Sequence, residues 1–95
     1  MAIVVETLIP QATRAEAEQF DELVENAIMQ SGGPPAGLMV HFTRPHRDGF
    51  LMVNVWRSEN DMRPFFDSII HPKLTEAGLT ADSSMVSPIW VFARP

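Results

Sequence analysis

His41, Asn54 and Trp56 are the side chains of this sequence best equipped for chemistry. An imidazole titrates near neutrality, so His41 can take or release a proton at physiological pH. A carboxamide can donate to a developing oxyanion, the service Asn54 would offer. Trp56 brings an aromatic wall and one indole N–H donor. Each also has a plain structural reading. His41 could be a satisfied strand histidine, Trp56 a large core residue, and Asn54 an amide bonded to nearby backbone. Asn54 is the most informative, because amides are depleted in central strands and a buried one must find partners. His46 falls in a turn-rich segment and is expected in water. His71 precedes Pro72, where it would cap a helix C-terminus or guard a pocket mouth. The three histidines form no i, i+4 pair and have no carboxylate at ligand spacing, so no metal site is expected. The absence of cysteine removes thiolate nucleophiles and disulfides. No nucleophile elbow, P-loop or dinucleotide fingerprint occurs, and no cofactor is expected.

These residues need strands and helices to hold them. Asn54 and Trp56 lie in Gly49-Phe50-Leu51-Met52-Val53-Asn54-Val55-Trp56-Arg57-Ser58, which reads as a turn glycine, a strand and a helix N-cap. Side chains alternate faces along a strand. Phe50, Met52, Asn54 and Trp56 share one face, and Leu51, Val53 and Val55 the other. Neither is a water face, so the strand should be covered on both sides. Ala2 to Ile9 is a first strand closed by Pro10. Its one charge, Glu6, is either an edge carboxylate in water or an acid facing a pocket. Thr13-Arg14-Ala15-Glu16 matches a capping box. Phe20, Leu23, Val24, Ala27 and Ile28 then repeat at helical period, with acidic residues on the other faces. Ser31-Gly32-Gly33-Pro34-Pro35 ends that helix. Leu38 to Thr43 reads as a second strand, with Leu38, Val40 and Phe42 on one face and Met39, His41 and Thr43 on the other. Arg44 to Gly49 is the turn of a hairpin.

The second helix follows Ser58, with Met62, Phe65, Phe66, Ile69 and Ile70 as its apolar stripe. Pro64 predicts an irregular first turn. Pro72 predicts a break at His71, then a short piece from Pro72 to Ala77 ended by Gly78. Met85 to Ala93 is the fourth strand; Pro88 makes it an edge strand or a bulged one. The order β-α-β-β-α-β is the split-βαβ, ferredoxin-like α+β pattern. Right-handed crossovers place both helices on one face of a four-stranded antiparallel sheet. The chain is expected to be a single domain over residues 1–95, and a second copy is the simplest cover for the other face.

The composition narrows the partners. A net charge of −5 with seven scattered basic residues argues against nucleic acid. No apolar run approaches the ~20 residues of a membrane span. The start of the chain lacks the basic segment of a signal peptide, so a cytoplasmic location is expected.

Val53-Asn54-Val55-Trp56-Arg57-Ser58-Glu59, followed by Phe65-Phe66, Pro72-Lys73-Leu74 and Gly78, resembles the dimeric α+β barrel superfamily. That superfamily includes antibiotic-biosynthesis-type monooxygenases, haem-degrading monooxygenases and stress-responsive barrel proteins. The Gly32–Leu38 segment with His41 is similar to small bacterial members of unassigned function. The resemblance spans nearly the whole chain and implies a homodimer. Trp56 matches the strand-ending tryptophan of haem-degrading members. The first strand offers Glu6 and Thr7 where they carry Asn, and Phe66 stands near the place of their axial histidine. Quinone-forming, cofactor-free members resemble this chain in pairing Asn54 with Trp56, but at another spacing and with a tyrosine that is absent here. The reading is a dimer with a small apolar cavity between sheet and helices, its catalytic groups His41, Asn54 and Trp56. Phe20, Leu23, Val24, Phe65, Phe66 and Ile69 would wall the cavity and His71 would sit at its mouth. The implied activity is cofactor-independent monooxygenation, or cyclisation or isomerisation, of a small aromatic or polyketide-like compound. The competing class is a non-catalytic dimer that binds a small ligand or serves a stress response.

Overall fold

The computed structural model describes residues 1–91 and 93. Four strands, β1 (Ile3–Pro10), β2 (Leu38–His46), β3 (Gly49–Trp56) and β4 (Met85–Pro88), form one sheet in the order β2-β3-β1-β4. Every neighbouring pair is antiparallel. Helix α1 (Arg14–Gln30) joins β1 to β2, and a second helical arm joins β3 to β4. That arm is α2 (Glu59–Phe65), a π-helical turn (Phe66–Ile70) and α3 (His71–Glu76). The expected ferredoxin-like architecture is therefore present.

The capping box of α1 forms as its sequence dictates. Thr13 Oγ1 accepts from Glu16 N at 3.2 Å, and the Glu16 carboxylate accepts from Thr13 N at 3.0 Å. Ile3, Val5 and Ile9 of β1 join Phe50, Met52 and Trp56 of β3 on the helix-facing side. Phe20 and Val24 of α1 and Met62, Phe65, Phe66, Ile70 and Leu74 of the second arm close over them.

The opposite face is a second apolar surface with no layer over it. Its central row is Leu51, Val53 and Val55, which take no part in the helix-side core. Val4, Glu6 and Leu8 flank that row on one side, and Val40, Phe42 and Arg44 on the other. Phe42 remains 44% exposed and Met85 68% exposed. Glu6 lies on this bare face, opposite Val53 and Met85, and not in a pocket.

Five local expectations are corrected. Leu38 belongs with His41 and Thr43, because an irregularity in the register between Leu38 and Val40 reverses the alternation. Strand β2 continues through His46, leaving Arg47 and Asp48 as the tight turn. Pro45 can lie in β2 because β2 is an edge strand and its missing donor need face nothing. The helix after Ser58 is regular from Glu59 through Pro64 to Phe65, and the irregularity comes one turn later. There the backbone does not break before Pro72. The π turn, with His71 N–H bonded to Phe66 O, carries the helix onward into α3. A proline collides with the carbonyl four residues back in an ordinary helix, and the widened turn relieves this. Strand β4 ends at Pro88, earlier than expected. It is the edge strand that Pro88 predicts, but Trp90 and Val91 leave the sheet and are 88% and 86% exposed. Phe92, expected in the strand, lies outside the described residues.

Candidate functional site

The helix-facing side of β3 places Asn54 at the centre of the sheet, between Val5 of β1 and His41 of β2. Asn54 is fully buried. Its carboxamide oxygen accepts the indole N–H of Trp56 at 2.6 Å. Residues two apart on a strand share a face, which is why the pair can meet. This bond settles which end of the carboxamide is oxygen, and it leaves the NH2 group directed elsewhere. Asn54 Nδ2 has no hydrogen-bond partner among the described residues. Neither does the buried Nδ1 of His41, its direct cross-strand neighbour. Opposed residues of an antiparallel pair have Cβ atoms ~4.5–5.5 Å apart. Two orphaned polar atoms thus belong to facing residues, one a donor and the other an acceptor in the Nε2–H tautomer, and they make no bond to each other. Buried polar groups are rarely left this way, because each costs about 1–3 kcal/mol.

Phe65 shields the pair. Its ring lies 5.3 Å from the Trp56 ring and meets the His41 imidazole edge-on at 6.5 Å, centroid to centroid. Burial pushes the His41 pKa below its ordinary value of 6.5, against an upward pull from the carboxylates of Asp21 and Glu25 on α1. His41 is therefore held neutral at physiological pH, the state in which it can accept a proton.

A cavity of about 650 Å³ opens on the far side of Asn54. Val5, the β1 neighbour of Asn54, and Thr7 form part of its floor. Met62, Phe66, Ile70 and Leu74 supply apolar wall, and His71 also lines it. The size suits a small-molecule site. Thr7 is buried, and its hydroxyl shares a hydrogen bond of 2.6 Å with that of Ser84 across the cavity edge. Thr7 and the segment 79–84 escaped the sequence reading: a threonine in a strand and a polar connection carry no signal of shared position. A second cavity, of about 450 Å³, lies between α1 and the β2–β3 hairpin, over Phe50.

The sequence-derived residues divide accordingly. His41, Asn54 and Trp56 come together on one sheet face. Phe66 and His71 line the large cavity. Phe20, Val24 and Phe65 are in the closed core, and Ile69 and Leu23 are partly buried outside both cavities. Neither Asn54 nor His41 lines either cavity. His46 accepts a hydrogen bond from Asp48 N at 3.2 Å in the hairpin turn, a local role. No group of histidine, aspartate and glutamate suited to a metal occurs among the described residues. No helix among them is long and apolar enough to cross a membrane.

Known structures share this arrangement of elements. SnoaB, a cofactor-independent oxygenase from Streptomyces nogalater, superposes with a TM-score of 0.66 over 96% of this chain and 94% of its own, at 13% identity. A candidate antibiotic biosynthesis monooxygenase from Deinococcus radiodurans gives 0.62 over 100% and 98%, at 14% identity. Rv0793 from Mycobacterium tuberculosis gives 0.61 over 98% of both chains, at 15% identity. The chain has their fold. No family model and no curated protein matches its sequence.

Proposed function

We propose that the protein is a cofactor-independent oxygenase acting on a small phenolic, aromatic or polyketide-like compound. The observation that carries this reading is the orphaned pair Asn54 Nδ2 and His41 Nδ1, on facing residues of β3 and β2, with Phe65 against the His41 ring. A phenolic hydroxyl answers both atoms. Its oxygen accepts from the Asn54 amide, and its proton goes to His41 Nδ1. Loss of that proton makes an electron-rich phenolate, stabilised by the amide donor, which can reduce O2 directly. For a phenol with a free para position the balance closes with no other reductant. Phenol and O2 become a quinone and water, the substrate supplying all the electrons. Trp56 holds the carboxamide in the orientation this requires. The cavity floored by Val5 is the approach from solvent, one strand away from Asn54. The description of SnoaB as a cofactor-independent oxygenase supports the same reaction class on the same fold.

The reading takes the protein as a cytoplasmic homodimer. A second copy would cover exposed Val40 and Phe42 and complete the burial of Leu51, Val53 and Val55, which their sheet neighbours already leave at most 9% exposed. Oxygen uptake with a panel of phenols, naphthols and hydroxyanthracenes tests the reaction. Asn54→Ala should lower the rate by about 10²-fold. Uptake with none of the panel, or an unchanged rate in the variant, refutes the assignment.

One observation favours a second reading. The polar pair does not line the large cavity. In that reading the protein is a non-catalytic dimer that takes a small apolar or aromatic ligand between β1 and the second helical arm. Saturable binding without oxygen uptake would select it.

A further inference from the structure

The floor of the large cavity holds one polar break in an apolar row. The helix-facing side chains of β1 are Ile3, Val5, Thr7 and Ile9, all buried, and only Thr7 carries a polar atom. Valine is also β-branched and would fill the same place without a hydroxyl. The Thr7 hydroxyl instead meets that of Ser84 at 2.6 Å, and both residues line the cavity. Two hydroxyls hold two protons, and the bond between them uses one. Neither side chain makes another hydrogen bond among the described residues. One O–H donor and several lone pairs are thus left for a guest. The segment that carries Ser84 is tied at two points. Leu79 N–H donates to Leu74 O, and Asp82 N–H donates to Leu8 O, each at 2.9 Å.

The charged groups lining the cavity are Asp67, Asp82 and Arg63, with the titratable His71 beside them. The Arg63 guanidinium is engaged by the Glu59 carboxylate at 3.2 Å. Asp67 and Asp82 have no ion-pair partner among the described residues. The rim therefore carries uncompensated negative charge, on a chain whose net charge is −5. Such a rim repels an anionic ligand and leaves a neutral one unaffected. We propose that this cavity binds neutral ring compounds bearing a hydroxyl or ketone oxygen, anchored on the Thr7–Ser84 hydroxyl pair. The inference rests on the cavity as a ligand site, the second reading above, and on no step of the oxygen chemistry. A ketone oxygen accepts the free hydroxyl proton, and a ligand hydroxyl donates to or accepts from the pair. Met62, Phe66, Ile70 and Leu74 cover the rings. The acidic rim turns away the carboxylate of the same ring system.

Calorimetric titration at about pH 8, above the range in which ordinary imidazoles are charged, compares naphthalene, 2-naphthol and 2-naphthoate. The wild-type protein should bind 2-naphthol about 3–10-fold more tightly than naphthalene. It should bind 2-naphthoate several-fold more weakly than 2-naphthol. Thr7→Val/Ser84→Ala removes both hydroxyls together, so neither is orphaned. In that variant the preference for 2-naphthol should vanish, while an unchanged affinity for naphthalene shows that the cavity is intact. Asp67→Asn/Asp82→Asn should raise the affinity for 2-naphthoate and leave that for 2-naphthol in place. A readout that needs no variant is the NMR amide signals of Thr7 and Ser84. At saturation these should move further with 2-naphthol than with naphthalene. A preference that survives loss of both hydroxyls, or equal amide shifts with the two probes, overturns the anchor and leaves the pair as a staple for the segment 79–84. Equal affinity for 2-naphthol and 2-naphthoate overturns the selection for neutral ligands. A wild-type protein that binds none of the three refutes the cavity as a ligand site and removes the anchor with it. Oxygen uptake decides the oxygenase reading separately.

Discussion

The Asn54–Trp56 bond can be isolated by a double-mutant cycle in which no activity is required. Trp56→Phe removes the indole N–H and leaves the whole Asn54 carboxamide without a partner at a site of zero exposure. The abandoned acceptor costs about 1–3 kcal/mol. The smaller ring leaves a partly collapsed void worth about 1 kcal/mol more. Asn54→Leu keeps roughly the shape of the side chain. It removes the orphaned Nδ2 but creates a new orphan at Trp56 Nε1, so two similar terms oppose and the net change stays within about 1 kcal/mol. The double variant has no polar atom left at either position. Its void, about 1 kcal/mol, is offset by the same relief of the orphaned Nδ2, about 1–3 kcal/mol, so it is no less stable than the wild type. The two single changes should therefore sum to about 2–6 kcal/mol more than the double change, one orphaned atom from each single variant. Urea denaturation at one fixed protein concentration measures this, because dimer formation would otherwise add a concentration-dependent contribution. Additivity within about 0.5 kcal/mol would refute the bond as the device that orients Asn54.

Two further outcomes follow from the geometry. The folded state holds the His41 pKa below its unfolded value, so the unfolded chain binds more protons as the pH falls below 6.5. Stability from this residue is complete above that value and is lost as the pH falls toward the lowered folded pKa. His41→Gln should therefore flatten the decline in urea midpoint between neutral and mildly acidic pH, and an unchanged slope argues against a buried neutral imidazole. Phe42→Glu places a charge beside Val53 on the bare sheet face, away from the helix-side core. Sedimentation velocity at micromolar concentration should show the wild-type chain as a dimer and the variant as a folded monomer; a variant that remains dimeric places the interface elsewhere.

Much of the architecture was legible before any coordinates, because it rests on local rules. The capping box at Thr13, the glycine-proline stop after α1 and the N-cap at Ser58 are each written in a few consecutive residues. Alternation along Phe50–Trp56 correctly put Asn54 and Trp56 on one face. What failed also had local causes with non-local settings. The reversal at Met39 moved Leu38 to the other face, and an edge strand let Pro45 stay in β2. A π turn let the second arm pass Pro72 without breaking. Trp90 and Val91 look like strand residues by composition, but they lie beyond the last bridged residue of β4, Pro88.

The candidate site shows the same division. Residue types alone nominated His41, Asn54 and Trp56, because imidazole, amide and indole are the groups here that move protons or stabilise charge. The strand period alone made Asn54 and Trp56 neighbours. That His41 stands opposite Asn54 depends on the pairing register of β2 and β3, shifted by the irregularity at Met39. Registers are selected by the whole packed sheet and cannot be read from either strand in isolation. The cavity depends on still more distant partners. It brings Val5 and Thr7 of β1 against the π turn and the segment 79–84. Only the closed tertiary structure decides that, because a cavity is the space left when elements far apart in the chain have packed, and no single segment encodes it.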